Sequence, residues 1–250
     1  MPRRHRLVTG ESERDASPSQ EEAFRVLRSN LHVALSDLER PTVIITSAMP
    51  SEGKTSTCVN LARSLTLAGQ RVIIVDLDLR HPDAHQWLGA QNNVGVSSVL
   101  LGQSALEDCL QYVEVGKGPT ETTRGLYLLA TGPTVANPAE LLGTGRTAHL
   151  LDGLAAQADI VLIDTPPISP VADTLVIGRM VAGAVLVVET RRTPVGAIQR
   201  AKDALIRNQT RLLGVVINKL EARDADYGYG YGYGYGYGYG DGDGHRIEEE

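Results

Sequence analysis

Aromatic residues are scarce. The 250-residue chain has one Phe, one Trp and nine Tyr, and seven of those tyrosines sit together near the C-terminus. Any core must therefore be aliphatic, drawn from the 42% of residues that are hydrophobic. Cysteine is nearly absent: Cys58 and Cys109 fall in apolar, helix-like stretches with no metal-ligand spacing and no second pair. This argues against a zinc site or a disulfide framework and fits a reducing compartment. No run approaches eighteen consecutive apolar residues and none follows the N-terminal arginines, so the sequence predicts neither a membrane span nor a signal peptide, and a cytoplasmic location. There is no basic stripe, so nucleic acid is not an expected partner. The cluster Arg3, Arg4, His5, Arg6 is too short for more than weak attraction to anionic surfaces.

The formal charge of -6 is local: residues 221–250 hold eight acidic residues against Arg223 and Arg246, a sum of -6, so the rest of the chain is neutral. That segment contains YGYGYGYGYGYGYG, placing Tyr227, Tyr229, Tyr231, Tyr233, Tyr235, Tyr237 and Tyr239 in strict alternation with glycine. Glycine has the largest backbone entropy to lose and no side chain to pack, so the repeat is expected to be a flexible, solvated tail covering 221–250. Taken alone it is low-complexity decoration or a weakly self-associating linker.

Residues 1–19 lack periodicity and are expected to be a disordered lead-in; 20–220 then form one domain. Phe24, Leu27, Leu31 and Leu35 recur at helical spacing between Gln20 and Leu38. Apolar runs at 43–46, 72–76, 126–130, 160–164, 184–189 and 213–218 predict strands, and helices are expected near 54–68, 138–157, 171–181 and 195–208. The stretch 115–125 is expected to be a surface loop. Near-continuous apolar strands alternating with helices predict an α/β fold: a twisted, mostly parallel sheet with helices on both faces.

Three motifs carry chemistry. In VIITSAMPSEGKTS, Gly53, Lys54 and Thr55 sit between a strand and a helix, where loop amides and a helix N-terminus converge on one anion. Ala48, Pro50, Ser51, Glu52, Gly53, Lys54, Thr55 and Ser56 make up this candidate phosphate-binding loop, with Lys54 reaching the β- and γ-phosphates and Thr55 a Mg²⁺ ion. The usual first glycine is replaced by Ala48, a residue still small enough for a tight turn. In VIIVDLDLRHP, Asp76 and Asp78 stand at a strand's carboxyl end, where such sheets bind ligands, followed by Arg80. One carboxylate can hold the metal's water shell while the other accepts a proton from an attacking hydroxyl; the bland alternative is a helix cap or turn. In DIVLIDTPP, Asp164 tips another strand, a common position for an acid that orients Mg²⁺. Together these predict a phosphoryl-transfer or hydrolysis centre of the P-loop NTPase kind.

SAMPSEGKT, VIIVDLDLRHP, IVLIDTPP, EEAFRVLRSNL, NPAELL and the terminal tyrosines, in that combination, resemble the bacterial tyrosine autokinases of capsule and exopolysaccharide assembly. The resemblance runs from about Glu21 to Tyr239. It implies an ATP- and Mg²⁺-dependent kinase that phosphorylates its tail in trans within a ring-like homo-oligomer. It also implies other protein tyrosine substrates, a cognate phosphatase, and regulation of polysaccharide synthesis and export. Lys54, Asp76, Asp78 and Arg80 would be catalytic, with Asp78, Asp164 and Thr55 placing the metal and Asp76 helping to deprotonate the phenol. Spacing alone leaves open whether Asp76 or Asp78 is the base. Arg80 is either a charge-stabilising cation or an ion-pair partner. Glu22, Arg25 and Arg28 match the family's subunit-contact pattern, the alternative being an exposed salt-bridged helix face. Asn218 matches a position that contacts adenine in related ATPases, or caps a turn. Since no span is present, the resemblance is to the form with a separate transmembrane activator, the polysaccharide co-polymerase, which would hold the kinase at the inner face of the plasma membrane. The rival is a switch ATPase of the chromosome-partition and septum-site class; its loop carries an early lysine that is missing from SAMPSEGKT. A scaffold with a decayed site is a third reading, disfavoured by the intact Lys54, Thr55, Asp76, Asp78 and Asp164.

Overall fold

Strands alternate their apolar side chains between two faces, and the fold uses both. The computed structural model describes residues 18–38, 41–118, 121–169 and 173–220. Seven strands, β1 (Thr42–Ser47), β2 (Val72–Asp76), β3 (Leu110–Lys117), β4 (Thr123–Leu129), β5 (Ile160–Asp164), β6 (Gly183–Glu189) and β7 (Leu212–Asn218), form one sheet in the order β3-β4-β2-β5-β1-β6-β7. All neighbours are parallel except β3 and β4. Helices α1 (Pro18–Ala34), α2 (Lys54–Leu67), α3 (Ala84–Trp87), α4 (Val96–Leu100) and α5 (Leu106–Cys109) come from the first half of the chain. From the second half come α6 (Pro138–Leu142), α7 (Gly145–Ala155), α8 (Asp173–Ile177) and α9 (Val195–Arg207).

Two hydrophobic clusters flank the sheet. Val43, Ile45, Ile74 and Leu162 meet Leu31 and Leu35 of the α1 segment and Val59, Leu61 and Leu65 of α2 on one face. Ile44, Val75, Val161, Ile163 and Leu186 meet Leu151 and Leu154 of α7 and Ala201 and Leu205 of α9 on the other. Alternate residues of one strand thus enter opposite cores, as two-sided burial requires.

Several boundaries differ from expectation. α1 starts at Pro18, a residue whose fixed φ suits a first turn. The expected loop 115–125 is instead largely a β-hairpin, since β3 runs to Lys117 and β4 begins at Thr123. β3, LQYVEVGK, is half-exposed and mixes polar with apolar residues, so it lacks the apolar run that marks the other strands. The expected helix 138–157 is two helices broken at Thr144, whose extended backbone (φ -81, ψ 153) starts α7. In the expected helix 171–181 the described part is α8 followed by a 3₁₀ turn, Gly178–Met180. The described residues up to Lys219 belong to one compact unit. The tyrosine repeat and most of the expected lead-in lie outside the described residues. No described helix is long and apolar enough to cross a membrane.

Candidate nucleotide and phosphoryl-transfer site

The sheet order explains how the three motifs meet. β5 lies between β1 and β2, with Asp164 in register with both Asp76 and Ile45. The loop after β1 therefore opens beside the carboxyl ends of the two acid-bearing strands. Lys54, first residue of α2, sets its Nζ 2.9 Å from Asp78 Oδ2 and 3.7 Å from Asp164 Oδ1. Thr55 donates its hydroxyl to Asp164 Oδ2 at 2.6 Å. Asp76, Asp78 and Asp164 are all buried, at 0%, 2% and 0% exposure, so this is a desolvated cluster of one cation and three carboxyl groups.

Burial sets the electrostatics. It pushes the Asp164 carboxyl up to about 6, against the opposing effects of Lys54 and Thr55. Asp76 is also driven well above the usual carboxylate range, first by burial and then by Asp164. Burial disfavours the Lys54 charge, but Asp164 and Asp78 outweigh it and raise the ammonium.

The two acids of the D-x-D motif are placed differently. Asp76 Oδ1 accepts the Asp78 amide at 3.0 Å, while Oδ2 accepts the amides of Asp83 and Ala84 at 3.2 Å each. Its carboxyl group thus organises the turn leading into α3. Asp78 accepts the His81 amide on Oδ1 at 3.0 Å and turns Oδ2 to Lys54. Arg80 makes a two-pronged pair with buried Asp173, Nε to Oδ2 at 2.7 Å and Nη2 to Oδ1 at 3.1 Å. Nothing local in the sequence marked Asp173, which lies 93 positions from Arg80.

Within the loop, Ala48 is buried and is not among the residues with positive φ, so its backbone does not require the glycine usual there. Pro50 and Ser51 are exposed; Ser51 (φ 66) and Gly53 (φ 88) are left-handed. Ser56 donates its hydroxyl to the Gly53 carbonyl at 2.9 Å. The Glu52 side chain turns inward, accepting the Met49 amide at 2.7 Å and the Thr193 hydroxyl. Asn218 donates Nδ2 to the Glu52 carbonyl at 2.9 Å, which puts it against the loop.

The amides of Glu52 and Gly53 have no acceptor among the described residues, and Asp164 Oδ1 is buried without a hydrogen-bond partner. Free amides beside an ammonium suit a polyphosphate, and an orphaned carboxylate oxygen beside a hydroxyl suits a hard cation with oxygen ligands.

On α1, Glu22 and Arg25 are exposed and pair at 3.2 Å. Arg28 instead reaches α2, donating to the Ser64 carbonyl at 2.9 Å.

The family of CobQ/CobB/MinD/ParA nucleotide binding domains matches residues 43–227. The chain is 37% identical to the tyrosine-protein kinase YwqD of Bacillus subtilis over 83% of its own length and 84% of that protein's. The chain belongs to the bacterial tyrosine-protein kinases of the P-loop class. The kinase domain of Escherichia coli tyrosine kinase ETK superposes with a TM-score of 0.75 at 31% identity, covering 86% of this chain and 81% of that one. The cell division ATPase MinD of Pyrococcus furiosus superposes at a TM-score of 0.59 and 22% identity, over 71% of each chain, a likeness of fold alone. Among bacterial tyrosine kinases, then, this chain has the sheet of the wider ATPase class, with its lysine, threonine and three acids drawn to one end of it.

Proposed function

We propose that the protein is an ATP- and Mg²⁺-dependent tyrosine kinase whose acceptors are the tail tyrosines, Tyr227 to Tyr239, of neighbouring copies. The observation that carries this reading is the contact set of Lys54, Thr55, Asp78 and Asp164 at the ends of β1, β2 and β5. Thr55 and Asp164 would hold the Mg²⁺ and its water shell, and the ion would offset charge on the phosphate oxygens. Lys54 binds the phosphates of ATP, drawing its ammonium away from Asp78. Of the two motif acids, Asp78 is the better base: its Oδ2 is released once Lys54 moves to the phosphates, whereas both Asp76 oxygens stay committed to backbone amides. The phenol oxygen bonds to the γ-phosphorus as the bond to the β,γ-bridging oxygen breaks; ADP leaves, and the phenolic proton passes to Asp78. With a reference phenol pKa of about 10, such help is needed near neutral pH. Arg80, paired with Asp173, positions the acid-bearing loop.

The alternating glycines would let each tyrosine enter a neighbour's site in extended form. Each phosphate adds about -1.5 to -2 charge, so a fully modified tail repels itself and its acidic surroundings. This would loosen a ring-like oligomer assembled through Glu22, Arg25 and Arg28. A membrane-bound activator, the polysaccharide co-polymerase, would hold the kinase at the membrane's inner face, where its cycle with a cognate phosphatase regulates polysaccharide synthesis and export.

Intact-mass and site-mapping mass spectrometry after Mg-ATP, alongside Lys54→Met and with the activator's cytoplasmic segment present, tests the reading. Phosphate on Tyr227 to Tyr239 only when Lys54 is intact is expected. ATP turnover with an unmodified tail would instead favour a switch ATPase. Sedimentation of the phosphorylated and unmodified forms as the same oligomer would remove the dissociation step.

A further inference from the structure

A phosphate loop works only if its peptide planes face the right way. In a trans peptide the C=O and the following N–H point in opposite directions, so fixing a carbonyl on one side of the loop aims the next amide at the other. Two carbonyls here are fixed from outside. Lys219 donates Nζ to the Ser51 carbonyl at 2.8 Å, and Asn218 donates Nδ2 to the Glu52 carbonyl at 2.9 Å. The amides turned the other way are those of Glu52 and Gly53, which have no acceptor among the described residues.

We propose that Asn218 and Lys219 are positioning residues for the phosphate loop, holding the Ser51 and Glu52 carbonyls outward so that the Glu52 and Gly53 amides face the nucleotide phosphates. This rests on the ATP-binding reading above and adds the groups that preorganise that site. The conformation needs such support: Ser51 at φ 66 is a left-handed non-glycine residue, and with Gly53 at φ 88 it brackets Glu52 in the alternation that turns successive amides toward one point. Asn218 also lies where any side chain at 53 would go, its Nδ2 occupying the place of a Cβ on Gly53.

The brace is itself held. Glu189 at the end of β6 accepts Lys219 Nζ at 2.9 Å and Arg192 at 3.2 Å on the same oxygen. The Thr190 amide donates to the Asn218 carbonyl at 3.1 Å. Thr193 accepts the Glu189 amide at 2.9 Å and donates to the buried Glu52 carboxylate. The β6–α9 connection and the end of β7 therefore form one scaffold behind the loop, although neither belongs to a phosphate-binding motif.

The test is the dissociation constant of the full chain for Mg-ADP and Mg-ATP, the KM and kcat for ATP, and the Tm without nucleotide. The variants are Lys219→Met, Lys219→Arg, Asn218→Ala and Glu189→Gln. Lys117→Met, which breaks an exposed pair with Glu121 far along the sequence, is the control for losing a surface lysine. Lys219→Met is expected to weaken nucleotide binding about five- to tenfold, the scale of one hydrogen bond. KM should rise in step, kcat should change less, and the Tm should move no more than in Lys117→Met. Arginine at 219, which can still donate to both acceptors, should restore most of the affinity, and Glu189→Gln should give a smaller loss in the same direction. Affinities within about twofold of the parent for both Lys219→Met and Asn218→Ala would overturn the brace while leaving the ATP site standing. So would a loss matched by a Tm drop and not recovered by arginine. Failure of the unmutated chain to bind Mg-nucleotide would overturn the ATP site itself and this inference with it.

Discussion

Replacing Lys54 by methionine removes the only cation paired with Asp78 and Asp164 among the described residues. The two carboxyl groups remain at 2% and 0% exposure, in a setting where they cannot recover their hydration. Breaking a buried pair by removing one partner costs about 3–5 kcal/mol. For a domain of this size roughly 2–4 °C of Tm accompanies each kcal/mol, so a drop of roughly 6–20 °C is expected near pH 7.5 in nucleotide-free buffer with chelator. The pH dependence gives the sharper test. Asp164 is raised from 3.8 to about 6. In that window the folded chain keeps a proton that the unfolded chain has lost, so stability falls as pH rises, and the cost of ionising Asp164 is complete above the window. Without Lys54 one effect opposing the rise is gone, and the window extends to higher pH. Near pH 5 the carboxyl is largely protonated with or without Lys54, so the variant should lose clearly less stability there than near neutrality. Thermal melts of both proteins at the two pH values decide the matter. An equal drop at both, or none near pH 7.5, would refute the claim that Lys54 compensates a buried acidic cluster.

Gly53→Ala should abolish tight nucleotide binding and cost about 1–2 kcal/mol from its left-handed backbone, because at φ 88 its methyl would also displace Asn218; nucleotide titration and melting would show both. Arg80→Lys keeps the charge but loses the two-pronged contact with Asp173. Because Arg80 is 37% exposed, the expected loss is only about 1–2 kcal/mol, with a fall in kcat as the acid-bearing loop loosens; unchanged stability and turnover would rule out that positioning role. Burial raises the Cys58 thiol well above its ordinary value and raises that of Cys109 as well. Neither should react with a thiol reagent near pH 8 except through unfolding, and rapid labelling of the native protein would contradict their placement.

Local sequence determined much of this protein. The central strands β1, β2, β5 and β6 are near-continuous apolar runs because both of their faces are covered, and that pattern placed them within a residue or two. Glycine, lysine and threonine between a strand and a helix marked the loop, since a phosphate site needs amides, a cation and a hydroxyl close together along the chain. β3 was not legible, because its sequence LQYVEVGK interleaves polar and charged residues with apolar ones. Nor was the break at Thr144, where the choice between one helix and two depends on how α6 and α7 pack. The placement of the acids belonged to tertiary structure. Asp76 and Asp78 are two residues apart and look alike in sequence, yet one is committed to backbone amides in a turn and the other faces Lys54. Asp173 for Arg80, Thr193 for Glu52 and Lys219 for Ser51 come from positions 93, 141 and 168 residues away. Sequence supplies hydrogen-bonding groups, but only the sheet order, with β5 between β1 and β2 and β6 leading to β7, decides which of them meet.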